Sequence, residues 1–495
     1  MIESKATTAH LDALLEQHAA SIGRAVDRFG LPLHVLFLDE MERNAQRFVD
    51  TTARLYPRAI VAFAAKSNPC RGALRAARTF GLGADVASEY ELRAALEEGI
   101  DPARIACNGN AKSDAYLVDA IVAGALLAVD NEDELDRLTA IAAAAGRVPT
   151  VLLRFRGMPL SGLTSDDQTT ASDWTKFGFH VDEADGLFDR LRASGAVRFG
   201  GVSAHIGTQI ADPSGYERLL GHLLELAEHA QAFGLPVSHV DIGGGFPVRF
   251  LPESEWKAFT GRLLARVRGE TALDGSVTWN DHPMGYAHVG ESSSPESPVW
   301  IGKAYWTVAP AEEMLEHLLR YRFADGQSTV DRLDALGSPT LIVEPGRSLA
   351  ATAGITLTRV AGIKRVLGHA VVSLDLGINN HGTNLISPDI FPTAVHPRRE
   401  DDRTREAFLA GRLCFSGDMI SKAKVPLNRL PVRGDRFVLY HTGAYGADHF
   451  ASHSCGFPRP AKIAIRRDGA VEVWRRPDRF EDVFGSADDS LLLDA

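Results

Sequence analysis

Residues 238–245 read SHVDIGGG, a short apolar run that ends in an acidic residue and three glycines. Six similar runs, each closed by polar or glycine residues, precede it, and one follows it. Stretches rich in Ala, Leu, Glu and Arg lie between successive runs and are typical of helices. The eight runs are AIVAFAAK (59–66), ADVAS (84–88), RIACNGN (104–110), LLAVDN (126–131), TVLLRFR (150–156), FGGVSAHIG (199–207), SHVDIGGG (238–245) and TLIVEPG (340–346).

Eight strands that alternate with helices predict an α/β fold, a (β/α)8 barrel of the TIM type. The rival is a doubly wound sheet, whose glycine fingerprint follows the first strand, whereas here the glycines follow the seventh. In a barrel the C-terminal ends of the strands converge on one mouth, where the chemistry takes place. The residues predicted to meet there are Lys66, Asp85, Ser88, Asn108, Asn110, Asp130, Arg154, His205, Gly243–Gly245 and Glu344.

The rest of the chain predicts a second domain. Residues 351–495 alternate apolar and polar positions between turn signals, which predicts a C-terminal antiparallel β domain. Residues 1–32 predict a helical segment that packs on this domain, which leaves residues 33–350 for the barrel. The stretch between the seventh and eighth strands is too long for one crossover. We therefore predict an insertion around residues 250–335, with the loop-like segment 281–300 acting as a lid or docking surface.

Composition narrows the classes of partner. The net charge of −11 predicts no sequence-independent attraction to nucleic acid or anionic membranes. No apolar run approaches the roughly 20 residues of a membrane span, and the N-terminus lacks a basic-then-apolar leader. The four cysteines show neither CxxC nor metal-like spacing. These features predict a cytoplasmic protein without a metal site.

Several residues at the strand ends suit a single cofactor. A desolvated Lys66 would react readily with an aldehyde, and Gly243–Gly245 would expose N–H groups to a phosphate. Glu344 would hold a pyridine nitrogen, with Arg347 beside the phosphate or a substrate carboxylate. His205 would stack on a flat ring. Taken singly, each feature has a simpler structural explanation: a surface lysine, a tight glycine turn, an ion pair at a strand end and a histidine of the core. Taken together, they predict a binding site for pyridoxal 5′-phosphate (PLP).

Ten motifs carry a resemblance to a known family. They are AAKSN (64–68), GADVASEYEL (83–92), GNAKS (109–113), TKFGF (175–179), HIGTQ (205–209), DIGGG (241–245), EPGRS (344–348), LDLGINN (374–380), LCFSGD (413–418) and GAY (443–445). In this order they resemble the fold-type III PLP decarboxylases that act on diaminopimelate, ornithine and arginine, which have an alanine-racemase-like barrel. The resemblance spans most of the chain.

The resemblance implies a role for each matching residue. Lys66 resembles the lysine that binds PLP covalently, His205 the residue stacked on the ring and Glu344 the partner of its nitrogen. Cys414 resembles a cysteine that reaches in from the partner subunit and protonates the carbanion, for which Lys66 is the other candidate. The family thus implies a homodimer with composite active sites. Further cofactor contacts are implied for Asp85, Gly244, Gly245, Gly346, Arg347 and Tyr445.

The chain departs from the family at the substrate's distal end. Phe415 stands where these enzymes carry a glutamate or aspartate, and Ser387 and Phe391 replace an arginine and a tyrosine. We expect these three residues and Arg347 to line the substrate pocket. A distal ammonium there would lose its partner at a cost of several kcal/mol. The expected substrate is therefore an unusual or conjugated amino acid, or an aminoacyl group on a carrier protein, rather than meso-diaminopimelate.

Two other functions are compatible with the barrel. Racemisation or another PLP reaction at Cα is one, although the Cys414 segment favours decarboxylation. A non-catalytic regulator is the other, but such proteins tend to lose the lysine or its partners, and Lys66, His205 and Glu344 are all present.

Overall fold

The computed structural model describes residues 4–158, 170–284, 287–288, 299–300, 303–382, 390–399, 402–449 and 451–485. The chain forms two compact units. One consists of residues 42–248 and 301–349, and the other of residues 1–41, 249–300 and 350–495.

The first unit is a closed parallel barrel, as predicted. Each of the eight predicted runs overlaps one strand, and the pairing of the fourth strand with the fifth closes the barrel. A short additional strand, Phe179–His180, pairs with the end of the fifth. The barrel strands are Ala59–Ala64, Gly83–Val86, Ile105–Cys107, Leu126–Val129, Thr150–Arg156, Arg198–Ser203, His239–Asp241 and Thr340–Val343.

Side-chain caps start several of the helices that follow the barrel strands. Ser88, Ser113 and Asn131 each accept a hydrogen bond from the backbone N–H three residues on, which satisfies an amide that the helix itself cannot. The strand ends are thereby fixed at one mouth. The helices around the barrel are Leu38–Leu55, Arg71–Thr79, Glu89–Glu97, Asp114–Ala123, Glu132–Ala145, Ala184–Ala193, Pro213–Ala232, Glu312–Arg320, Thr329–Ala335 and Arg347–Ala350.

The second unit is built on a mostly antiparallel sheet with two parallel pairings. Leu33–Phe37, within the range predicted for the barrel, pairs in this sheet instead, between Gly354–Val366 and Ala461–Ile465. Leu11 and Ile22, from the N-terminal helices, share a core with it. The other strands are His369–Leu374, Thr393–His396, Arg405–Ala410, Met419–Leu427, Arg436–Tyr440 and Val471–Arg475, and the helices are Ser4–Gln17, Ala19–Phe29, Glu253–Val267 and Phe480–Phe484.

Part of the predicted insertion belongs to this second unit. Arg266 forms ion pairs with Asp274 and Asp281. The Lys424 N–H donates to the Val277 carbonyl, at 3.0 Å. The helix Glu253–Val267 and the turn after it are therefore fastened to the β domain. Most of segment 281–300, the predicted lid or docking surface, lies outside the described residues.

No helix in the described ranges is long and apolar enough to cross a membrane.

Candidate active site

Lys66 lies in a short turn directly after the first barrel strand. Its Nζ is 2.6 Å from Oδ2 of Asp85, at the end of the second strand; the Asp85 side chain is fully buried and that of Lys66 is 36% exposed. Lys112 provides a contrast. It is fully buried with Glu134 at 2.8 Å and also donates to the carbonyl oxygens of Gly109 and Ala128. Of these two lysines, Lys66 is the one that a ligand can reach.

A single amide joins two buried carboxylates of the barrel mouth. Asn108 Nδ2 donates to Asp85 Oδ1 at 2.8 Å and to Glu344 Oε1 at 2.7 Å. Burial, followed by the charges of Asp241 and Asp85, raises the pKa of Glu344 well above its usual range, against a smaller opposing effect of Lys66. The Glu344 carboxyl thus holds a proton more readily than an ordinary glutamate does.

Asp241 is a third buried carboxylate at this end of the barrel. It accepts hydrogen bonds from the Gly243 N–H at 2.9 Å and from the Ser203 hydroxyl at 3.0 Å. Burial raises the pKa of Asp241 to about 6, although both hydrogen bonds oppose the shift. Its structural effect is to fold the backbone of the glycine turn back on the end of the seventh strand.

The glycine turn Gly243–Gly245 has its carbonyl groups tied to the protein. The Gly243 carbonyl accepts the Glu344 N–H at 2.9 Å, and the Gly244 carbonyl accepts the Tyr216 hydroxyl at 2.7 Å. The Gly245 carbonyl accepts the Ile210 N–H at 3.1 Å. Among the described residues, no acceptor is bonded to the N–H groups of residues 244–246. Successive unpaired N–H groups of this kind form an anion-binding concavity.

Glycine is required in this turn by close approach. A Cβ at Gly244 would lie 2.4 Å from the Glu344 carbonyl oxygen, and one at Gly245, whose φ is +94°, would lie 2.6 Å from that of Gly207. Gly346 has a different role, because a Cβ there would lie 2.9 Å from those of Ala64 and Ser67. It lets the eighth strand end pack against the segment that carries Lys66.

His205 lies two residues after the sixth strand, beside the glycine turn. Its Nδ1 accepts the Gly207 N–H at 3.0 Å, so a neutral imidazole carries its proton on Nε2. Burial, and then the charges of Lys66 and Arg154, holds the pKa of His205 well below its usual range. The ring is therefore neutral at physiological pH and can present a flat face to a ligand.

Two arginines lie near the C-terminal ends of the fifth and eighth strands. Arg347 is buried, and its Nη2 donates to Thr208 Oγ1 at 3.3 Å. Arg154 places its guanidinium 4.3 Å from the centre of the Phe177 ring and 3.7 Å from Asp130. Both supply positive charge at the same end of the barrel as the three carboxylates.

These residues fit PLP. The glycine turn offers N–H donors for a phosphate, and Lys66 Nζ is accessible to an aldehyde. Glu344 Oε1 is occupied by Asn108, and no hydrogen bond to Oε2 occurs among the described residues, which leaves that oxygen for a ring nitrogen. A neutral His205 suits an aromatic ring. The chemistry of this set of donors therefore matches each part of the cofactor.

The remaining predicted site residues belong to the other unit. Cys414 is a free, exposed thiol and Phe415 is 59% exposed. The loop that carries them is held by buried Asp418, whose carboxylate accepts the N–H groups of Ile378 and Leu413 at 2.7 and 2.6 Å. The loop thus presents Cys414 and Phe415 outward from a fixed base.

Two more predicted residues have defined surroundings in that unit. Phe391 is buried, with its ring edge-on to Phe250 and His381. Tyr445 has a φ of +62° and packs edge-on against His449. Ser387 lies outside the described residues.

Comparisons with known proteins assign the barrel to a family. Residues 38–272 match the pyridoxal binding domain of the pyridoxal-dependent decarboxylases. The barrel therefore carries the pyridoxal binding domain of that family. Its likeness to individual members extends over nearly the whole chain. It is 29% identical to an uncharacterized protein of Sinorhizobium fredii, with 92% of each chain covered. It is 27% identical to the diaminopimelate decarboxylase of Synechocystis, with 93% of this chain and 88% of the relative covered.

Solved structures share the fold of this decarboxylase. Diaminopimelate decarboxylase from M. jannaschii in complex with L-lysine matches with a TM-score of 0.73 at 22% identity, over 95% of this chain and 94% of that one. Lysine/ornithine decarboxylase from Vibrio vulnificus in complex with putrescine matches with a TM-score of 0.63 at 21% identity, over 91% and 98%. The fold-type III PLP decarboxylase predicted from the motifs is confirmed, and with it the cofactor and the carboxy-lyase class.

The sequence motifs did not assign roles to three residues of the decarboxylase site. Asn108 was predicted at the barrel mouth, but its amide bridge was not. Asp241 lies in the DIGGG motif, but neither its place in the site nor its support of the glycine turn was predicted. Tyr216 gave no signal, because it lies on a helix whose pattern is that of any amphipathic helix.

Proposed function

We propose that this enzyme decarboxylates an amino acid or amino-acid derivative other than meso-diaminopimelate, with Lys66 as the residue that binds PLP covalently. The observation that carries the proposal is the open Lys66 Nζ, 2.6 Å from Asp85 and on the same barrel mouth as Glu344 and the unpaired N–H groups. Lys112, the other lysine of a strand-end motif, is fully buried among its own partners.

Each residue of the mouth has a task that follows from its surroundings. PLP, when bound, supplies an aldehyde for the substrate amine and a ring that takes up the electron pair left as CO2 departs. Asp85 pairs with the Lys66 side chain and holds its Nζ at the barrel mouth, where the uncharged amine would be the nucleophile for an aldehyde. Glu344 keeps a proton at its carboxyl for a ring nitrogen, and neutral His205 adds no competing positive charge.

The substrate preference rests on Phe415. Related decarboxylases carry an acidic side chain at this position, by the resemblance of the LCFSGD segment. A phenyl ring offers a distal ammonium no hydrogen bond and no opposite charge, and a charge left unpaired in a closed site costs several kcal/mol. We therefore expect a substrate whose distal end is apolar or otherwise modified.

We also propose that the enzyme acts as a homodimer, with Cys414 of one copy serving the Lys66 site of the other as a proton donor. The free, exposed thiol on an anchored loop suits this task. Complementation tests it: Lys66→Ala and Cys414→Ala are each inactive alone, and mixed dimers regain up to about half of the activity per active site. Absence of recovery in dimers shown to have mixed would contradict the shared site.

The test of the reaction is CO2 release by the PLP-loaded protein from a panel of amino acids. The panel contains L- and D-forms, meso-diaminopimelate, ornithine, lysine, arginine, glutamate, aspartate and apolar amino acids. Activity is expected to vanish in Lys66→Ala and to persist in Lys257→Ala, which removes an exposed lysine paired with Glu253 on a surface helix. Efficient turnover of meso-diaminopimelate would contradict the proposed specificity.

Other outcomes separate the alternatives. No CO2 from any free amino acid, with PLP bound at Lys66, would direct the test to conjugated or carrier-protein-bound substrates. Exchange of the Cα hydrogen without CO2 release would instead indicate a racemase-type reaction and overturn the decarboxylase proposal.

A further inference from the structure

Tyr216 is a fully buried tyrosine at the start of the helix that follows the sixth barrel strand. Asp212 caps this helix by accepting the Ser214 N–H at 3.0 Å, which places its first residues at the barrel mouth. The Tyr216 ring stacks on Phe246, with 5.5 Å between centroids and 19° between planes. The packing delivers the Tyr216 hydroxyl to the glycine turn.

The hydroxyl makes one defined contact there. It donates a hydrogen bond of 2.7 Å to the Gly244 carbonyl oxygen. An added Cβ at Gly245 would lie 2.8 Å from the same hydroxyl oxygen, so the tyrosine and the glycine fit each other. Because the carbonyl and the following N–H of a trans peptide point in opposite directions, holding the Gly244 oxygen also fixes the direction of the Gly245 N–H.

The peptides on either side are held by main-chain donors, the N–H groups of Glu344 and Ile210. These bonds survive changes of side chain. The Gly244–Gly245 peptide alone among the three depends on a side-chain donor. Its orientation can therefore be tested by removing a single oxygen atom.

We propose that Tyr216 is a positioning residue for the phosphate group of PLP, since its hydroxyl orients the Gly245 N–H toward that phosphate. The inference rests on the proposed function, because it takes the glycine turn as the phosphate site of the cofactor that Lys66 binds. It adds a residue that acts through the backbone and touches neither the cofactor nor the substrate.

The test compares two ligands that differ in the phosphate alone, PLP and pyridoxal, each titrated into the full-length apo-protein and followed by absorbance. In Tyr216→Phe, which keeps the stacked ring, the Kd for PLP is expected to rise about fivefold to tenfold, the effect of one hydrogen bond. The Kd for pyridoxal is expected to stay unchanged. The matched control is Tyr56→Phe, which removes a buried hydroxyl 2.6 Å from the Pro339 carbonyl, before the eighth strand begins.

The control is expected to lose a similar amount of thermal stability and no affinity for either ligand. Equal weakening of PLP and pyridoxal in Tyr216→Phe would overturn the inference, as would an unchanged Kd for PLP in a variant that melts cooperatively. If the wild-type protein itself bound PLP no more tightly than pyridoxal, the placement of the phosphate at the glycine turn would fail. That result would refute the proposed cofactor site, and not merely the role of Tyr216.

Discussion

Replacing Asn108 by leucine removes the amide that bridges two buried carboxylates. Asn108 Nδ2 donates to Asp85 at 2.8 Å and to Glu344 at 2.7 Å. A hydrogen bond to a charged group contributes about 1.5–3 kcal/mol, so the loss would reach about 3–6 kcal/mol if both carboxylates stayed ionised. Uptake of a proton by Glu344 relieves part of this cost, and we expect a decrease of about 3 kcal/mol in the free energy of unfolding at pH 8.

The pH dependence follows from the pKa of Glu344, which the fold raises above its unfolded value. A carboxyl with a raised folded-state pKa contributes stability at low pH, and that contribution is lost as the pH rises through the folded pKa. Removing the Asn108 donor raises this pKa further. The variant should therefore lose more stability than the wild type between pH 6 and pH 8.

Urea denaturation of the apo-protein at pH 6 and pH 8 measures the effect. The matched control is Asn44→Leu, which removes a buried amide donating to the neutral carbonyl of Leu349 at 3.0 Å. It should cost about 1 kcal/mol at both pH values. The contrary result is that Asn108→Leu lowers the free energy of unfolding by only about as much as this control, and by the same amount at pH 6 and pH 8. That result would refute the charge coupling through Asn108.

Three other substitutions give separable outcomes. Gly245→Ala should raise the Kd for PLP at least about tenfold in a PLP titration. The control Gly234→Ala should leave this Kd unchanged, because Gly234 also has a positive φ, of +80°, but no atom lies within 4 Å of the new Cβ. Equal effects of the two substitutions would contradict the close-approach argument. Lys112→Met should lower the free energy of unfolding by about 3–5 kcal/mol, because it leaves Glu134 buried and unpaired, and adding Glu134→Gln should restore most of the loss in urea denaturation. Asp418→Ala should slow CO2 release about tenfold with the Kd for PLP unchanged, because it frees the loop that this carboxylate anchors; a parallel loss of PLP binding would count against that role.

The barrel could be predicted because each of its strands is a short buried run that ends in polar residues. Local sequence patterns did not predict two of the strands correctly. Leu33–Phe37 is buried along its whole length, and such a run fits a barrel strand and a central strand of the second sheet equally well. Its true partners, Gly354–Val366 and Ala461–Ile465, are more than 300 residues away. Phe179–His180 is too short to produce an alternating pattern.

The candidate site, like the fold, could be predicted only in part from the sequence. Lys66 and Glu344 were predictable because strand order places them at one mouth. The difference between Lys66 and Lys112 was not, since it depends on Glu134 reaching a lysine 22 residues earlier in the chain. The hydroxyl of Tyr216 likewise depends on how a helix sits against the glycine turn, which a single sequence does not encode locally.

Reduction of the PLP-loaded protein with borohydride, followed by peptide mass mapping, tests the central claim most directly. Borohydride makes the link between a lysine amine and the cofactor permanent. We predict a single modified peptide, carrying the reduced cofactor on Lys66, and none in Lys66→Ala. Modification of Lys112 or of surface lysines in place of Lys66 would contradict the assignment of this barrel mouth as the site of decarboxylation.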